Sequence, residues 1–117
     1  MAESRRLQVI AGGRSPRRVW RLTLRVVAER WGVPSAELLG TGRAGGLTRA
    51  RELLCWLARE HGGLTLAELG RLMSRSEPTM CRLSTQAERR IGAGGAYSDL
   101  AADLEAELRV ALRRGAA

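Results

Sequence analysis

Two helix-start signals stand eleven residues apart in this 117-residue chain, and together they leave room for only one kind of local structure. Thr65-Leu66-Ala67-Glu68 has the spacing of a capping box, in which a Thr hydroxyl and a Glu carboxylate each satisfy an orphan backbone N–H. Ser76-Glu77-Pro78 offers a second N-cap hydroxyl, followed by a proline whose fixed φ suits a first helical turn. The first helix therefore has to stop near Met73. A tight turn through Ser74 and Arg75 then has to deliver the chain to a second helix reaching about Ile91. Two helices joined by so short a turn make a helix-turn-helix.

The rest of the chain also reads as helix. From Pro16 to about Trp31 the apolar residues Trp20, Leu24, Val27, Ala28 and Trp31 recur at three- and four-residue spacing, and Gly32 stops the run. Pro34-Ser35 starts a short helix ending at Leu39. The Gly-rich loop from Thr41 to Gly46 carries Arg43 and leads to a central core helix, Leu47 to His61, with Leu47, Ala50, Leu54, Leu57, Ala58 and His61 on one side. After Gly92, Gly94 and Gly95, Ser98 is expected to cap a last helix striped by Leu100, Leu104, Leu108, Ala111 and Leu112. The expectation is an all-α fold, a compact bundle of about six helices containing a helix-turn-helix. It comprises a flexible basic arm over 1–15, one domain over 16–114, and a short tail over 115–117.

At about 100° per residue, the helix from Ser76 to Ile91 turns Met80, Leu83, Ala87 and Ile91 to one side. Pro78, Thr79, Arg82, Thr85, Gln86 and Arg89 fall on the other. Arg pairs with guanine O6 and N7, Gln with adenine N6 and N7, and Thr with a base edge or a thymine methyl. Thr79, Arg82, Thr85 and Gln86 are thus candidate base readers in a DNA major groove, with Arg82 and Gln86 foremost. Arg71, Arg75 and Arg89 are placed for phosphates, which fix register without reading sequence. The net charge of +8 supports double-stranded DNA as partner, and all twenty basic residues are Arg. Residues 1–51 hold the whole of that excess, so the basic field lies N-terminally.

The stretch GRAGGLTRARELLCWLAREHGGLTLAELGRLMSRSEPTMCRL resembles the C-terminal DNA-binding domain (domain IV) of the bacterial replication initiator DnaA, and the likeness extends from about Val19 to Arg114. It rests on VAERWGVPSAELL before the loop, Arg43 in the loop, Ala50-Arg51, LAREHGGLTLAELG, Arg75 and Thr79, and the final Leu-rich helix. The resemblance implies that Arg43 approaches the minor groove, that Arg49 and Arg51 contact backbone or groove, and that Arg75 and Thr79 face the DNA. Where the initiator has Asp-His-Ser before its Thr, this chain has Ser76-Glu77-Pro78 after a turn one residue shorter. A similar module is appended to transposases associated with repetitive extragenic palindromes, and its plainer RSxxT start matches Arg75-Ser76-Glu77-Pro78-Thr79.

Catalytic chemistry has little to draw on. The chain lacks Lys, so the GxxxxGK[ST] phosphate loop is absent. His61 and Tyr97 are its sole histidine and tyrosine, too few for the His-hydrophobic-His metal site and nucleophilic Tyr of those transposases. Cys55 and Cys81 have no CxxC spacing and are expected to be semi-buried apolar residues, with no cofactor or metal. His61 reads as a helix-end cap, Tyr97 as a corner-packing ring, and Trp20, Trp31 and Trp56 as core or near-core. No apolar run has membrane-spanning length, so a cytoplasmic, nucleoid-associated protein that is not an enzyme is expected. The rival readings are a helical protein-interaction or self-association module using the C-terminal leucine stripe, and the DNA-binding fragment of a transposase.

Overall fold

The computed structural model describes residues 15–41 and 47–115, and every regular element among them is a helix. In chain order these are α1 (Pro16–Trp31), α2 (Ser35–Leu39), α3 (Leu47–Gly62), α4 (Leu66–Met73), α5 (Glu77–Ala93) and α6 (Ala96–Gly115). The all-α, six-helix expectation is met. The proposed arm and most of the Gly-rich loop, Arg43 included, lie outside the described residues.

α3 is the axis of the bundle, packed against α1 and against α5. A helix covered from two directions needs more than one apolar stripe, so Leu53 and Cys55 are fully buried alongside the predicted Ala50, Leu54, Leu57 and Ala58. α1 buries Val19, Trp20, Val26, Val27 and Ala28, while Leu24 and Trp31 are only partly covered. Thr23 is buried too, and its hydroxyl donates to the Val19 carbonyl at 2.7 Å, within its own helix. α6 closes the bundle across α1 and α5 by burying Ala101, Leu104, Leu108 and Leu112. The C-terminal leucine stripe is thereby spent on the core, which corrects its reading as a partner-binding surface.

The helix-turn-helix forms as its caps require. Thr65 Oγ1 accepts from the Glu68 N–H at 3.1 Å and Glu68 Oε1 accepts from the Thr65 N–H at 2.8 Å, so both halves of the capping box are made. Ser74 turns the chain in a left-handed conformation (φ 54°), and the Arg75 N–H donates to the Gly70 carbonyl at 2.9 Å. The turn folds back so closely that a Cβ on Gly70 would sit 2.7 Å from the Arg75 carbonyl oxygen. Ser76 then caps α5, accepting from the Thr79 N–H at 3.3 Å, with Pro78 in the first turn.

Two boundaries differ from the sequence expectation. α5 continues two residues past Ile91, to Ala93, before Gly94 and Gly95 take positive φ. α6 starts at Ala96, because the Gly95 carbonyl already accepts from the Asp99 N–H at 3.0 Å, and Ser98 falls inside the helix.

Buried polar groups pin the helices in register. Glu52, 2% exposed, accepts from Arg90 Nε at 3.1 Å and from the Tyr97 hydroxyl at 2.9 Å, which joins α3, α5 and α6. Arg51, 6% exposed, donates from Nε to the Leu38 carbonyl at 2.8 Å and from Nη2 to the carbonyls of Glu37 and Gly40, both at 2.9 Å. These carbonyls lie at the end of α2, where the helix leaves few donors for them, and that of Glu37 also accepts from the Gly40 N–H at 3.2 Å. Arg51 was expected at the DNA, and the fold uses it internally instead. His61 Nε2 lies 2.8 Å from Glu105, so it joins α3 to α6 rather than only capping its own helix. Cys55 is fully buried and Cys81 exposed, in place of the semi-buried pair expected.

Gly70→Ala is expected to destabilise the fold by about 1–3 kcal/mol in chemical unfolding, because a backbone oxygen occupies the space of the added methyl. Arg51→Ala should cost about 2–4 kcal/mol by removing the donor to the buried Leu38 carbonyl together with the bonds to Glu37 and Gly40, while the exposed Arg49→Ala stays within about 0.5 kcal/mol; equal effects would show that the carbonyl contacts stabilise nothing. Stability should also fall in alkali. Burial pushes the Cys55 thiol from its usual 9.0 up to about 12, and burial with the Glu52 carboxylate raises the Tyr97 hydroxyl above its usual 10.0. Raised acids favour the folded state fully below their unfolded values, and that gain is lost as pH climbs through the folded ones. Urea midpoints should therefore decline from pH 9 upward, and Cys55→Ala should flatten the first part of the decline.

Candidate nucleic-acid interface

α5 has its inner side fixed by Met80, Leu83, Ser84 and Ala87, all buried. Helical rotation then dictates the outer arc. Pro78, Arg82, Thr85 and Arg89 are exposed along its middle, whereas Thr79 and Gln86 lie at one margin, half-buried. Thr79 Oγ1 is 2.9 Å from Ser76 Oγ, so its hydroxyl is engaged in the cap of its own helix. The other margin holds Cys81 and Glu88, both exposed. Sequence reasoning put Cys81 at the edge of the core and passed over Glu88. The same 100° rotation that selects Thr85 brings these two beside it.

The flanking arginines divide into free and engaged. Arg71 on α4 is exposed, as are Arg89 on α5 and Arg49 at the start of α3. Arg49 and Arg51 are two residues apart, which on a helix turns their side chains about 200° from one another. One faces solvent and the other fills the cage of carbonyls below α2. Arg75 is half-buried, donating from Nη1 to the Met73 carbonyl at 2.9 Å and from Nη2 to the Gly40 carbonyl at 2.6 Å. It braces the helix-turn-helix turn against the end of α2, with the remaining guanidinium N–H groups left for other acceptors.

Arg51 and Arg75 converge on one oxygen, that of Gly40. Burial first, and the neighbouring charge of Arg75 second, lower the pKa of Arg51. A guanidinium nonetheless stays charged, and the carbonyl dipoles hold the two like charges side by side. The pair ties the end of α2 at Gly40 to the core helix α3 and to the turn that launches α5.

Outside this region the histidine, the tyrosine and the buried cysteine are engaged in structure. His61 meets Glu105, Tyr97 meets Glu52, and the Cys55 thiol is raised well away from the thiolate form a nucleophile requires. Among the described residues no group of three or more His, Cys, Asp or Glu is arranged to hold a metal ion, and no helix is long and apolar enough to cross a membrane.

No curated protein and no solved structure matches the chain. The family described as the bacterial dnaA protein helix-turn-helix matches residues 22–85, more than half of the sequence, from within α1 to the middle of α5. Within that span lie the α2 carbonyl cage, the capping box, the tight turn after Gly70 and the outward Arg82 and Thr85. With its helix-turn-helix built on those contacts and DNA as its general class of partner, this chain belongs to the bacterial DnaA helix-turn-helix family.

Proposed function

We propose that the protein binds duplex DNA sequence-specifically, laying α5 in the major groove. Arg82 and Gln86 read base edges, aided by Thr79 and Thr85, and Arg49, Arg71, Arg75 and Arg89 hold phosphates. The observation that carries this reading is the outer arc of α5. Arg82, Thr85 and Arg89 project from a helix whose opposite side is locked into the core, so their spacing is rigid before any DNA arrives. Capture is electrostatic, and the few base contacts supply the preference. The protein works in this reading as a binding module without catalysis, recognising DNA in the manner of a replication initiator or a transposase-associated module. Its preferred site differs from the initiator's own box, since Ser76-Glu77-Pro78 replaces the residues that open the initiator's recognition helix.

Arg43, implied at the minor groove by family likeness, lies outside the described residues. Arg51 has no part in the proposed interface, being buried against the end of α2. Its part is to hold the end of α2, to which Arg75 of the turn also bonds.

Selection of a randomised duplex pool by the purified protein, followed by a salt titration on the enriched sequence, tests the reading directly. An enriched motif with a steep salt slope is expected; weak, salt-insensitive retention without enrichment would overturn it. On the enriched duplex, Arg82→Ala should relax preference at one base pair by about 1–3 kcal/mol, whereas Arg71→Ala should weaken cognate and scrambled duplexes alike.

A further inference from the structure

The N-terminal excess of charge finds no use in the contacts of α5. Arg17, Arg21 and Arg25 are all exposed and follow one another at four-residue intervals along α1. At 1.5 Å per residue they form a line about 12 Å long. Their neighbours on the same helix are engaged: Arg18 donates to the Leu112 carbonyl at 3.0 Å, and Arg30 pairs with Glu107 at 3.1 Å. Among the described residues, Arg17, Arg21 and Arg25 have no such carboxylate or carbonyl partner.

The line is continuous with the helix-turn-helix. Arg17 shares a shallow groove of about 380 Å³ with Arg71 of α4, walled by Trp20, Leu64 and Leu72. Glu68 also borders that groove, with Oε1 taken by the Thr65 N–H of the capping box. At its far end Arg25 shares a second groove with Arg114, beside Glu29 and the already paired Glu107. The result is a ridge of guanidinium groups leading from the first helix of the motif over α1. None of Arg17, Arg21 and Arg25 has an Asn or Gln on the described part of α1 to help it read bases. The chemistry offered is that of phosphate binding alone, and 12 Å covers about three or four base-pair steps.

We propose that Arg17, Arg21 and Arg25 form a second phosphate-binding edge, continuous with Arg71, that grips the duplex backbone beside the bases read by α5. This inference rests on the DNA reading above and extends its footprint. The probe is a pair of duplexes carrying the selected motif, one trimmed to it and one extended by about a helical turn on each side. The full chain should bind the extended duplex more tightly than the trimmed one. The variant with Arg17→Gln, Arg21→Gln and Arg25→Gln should lose that gain, with its salt slope on the extended duplex lower by about two to three and its preference for cognate over scrambled sequence unchanged. An unchanged thermal midpoint will show that the exposed substitutions spare the fold, and single substitutions carry the test if the triple variant is unstable.

Identical binding of variant and full chain to the extended duplex overturns the edge, as does an equal loss on both duplexes. So does retained DNA binding accompanied by lost adsorption to anionic phospholipid vesicles, which would assign the ridge to a lipid surface. If the unaltered chain selects no motif, the reading of α5 falls with it; if it selects a motif and the variant matches it on the extended duplex, only the edge falls.

Discussion

The carbonyl oxygen of Gly40 is where the bundle and its exposed motif are joined. It terminates a five-residue helix too short to hold itself in place, and it receives one guanidinium from the core helix α3 and another from the turn between α4 and α5. Arg51 arrives buried, which is costly for a cation unless its donors are filled, and the carbonyls of Glu37, Leu38 and Gly40 fill them. Arg75 arrives from the turn forced by the close approach at Gly70. Without the Arg75 contact the end of α2 would lose this bond to the turn before α5, while the buried Leu38 still anchors α2 in the core. A polar junction thus braces the turn that launches α5, whose inner side is held by apolar packing.

A second junction, around Glu52, governs the other end of α5. Its carboxylate is buried in α3 and engages Arg90 and Tyr97, while the Arg90 guanidinium lies 5.8 Å from the centre of the Tyr97 ring. α5 is thus held near its start by the turn and near its end by an ion pair, with Met80, Leu83 and Ala87 packed between. A helix fixed at both ends would lose little freedom on docking as proposed, so less of its contact energy would be consumed by ordering.

The local signals were legible because caps and turns depend on a few adjacent residues. Thr65 with Glu68, and Ser76 with Pro78, state where α4 and α5 begin, and the structure forms both caps. The side of α5 that packs inward followed from helical rotation alone. What sequence could not resolve was the division among arginines, since a guanidinium's task is set by what lies within reach across the fold. Arg49 and Arg51 look alike in the sequence, and only the arrival of α2 beside α3 buries the second. Likewise the stripe of Leu104, Leu108 and Leu112 has the same spacing whether it meets a partner or its own core. The start of α6 was missed for a different reason: the helix opens two residues before Ser98, with its first i→i+4 bond running from the Asp99 N–H to the Gly95 carbonyl.

That division changes how the charge of the chain is to be understood. Arg18, Arg30, Arg51, Arg59, Arg75 and Arg90 all donate to carbonyls, hydroxyls or carboxylates of their own fold. Such residues still contribute to the long-range field that draws a polyanion near, because their charges are not removed by hydrogen bonding to neutral acceptors. Those bonded to carboxylates, Arg30 and Arg90, contribute little even to that. Close contacts with phosphate require donors free to turn toward it, which in the proposed reading the exposed arginines of α1, α3, α4 and α5 supply. In that proposed reading, net charge therefore sets how fast DNA is met, while the smaller exposed set decides how firmly and in what register it is held. An Arg-rich composition can in this way supply both the struts of a small fold and the contacts of its surface.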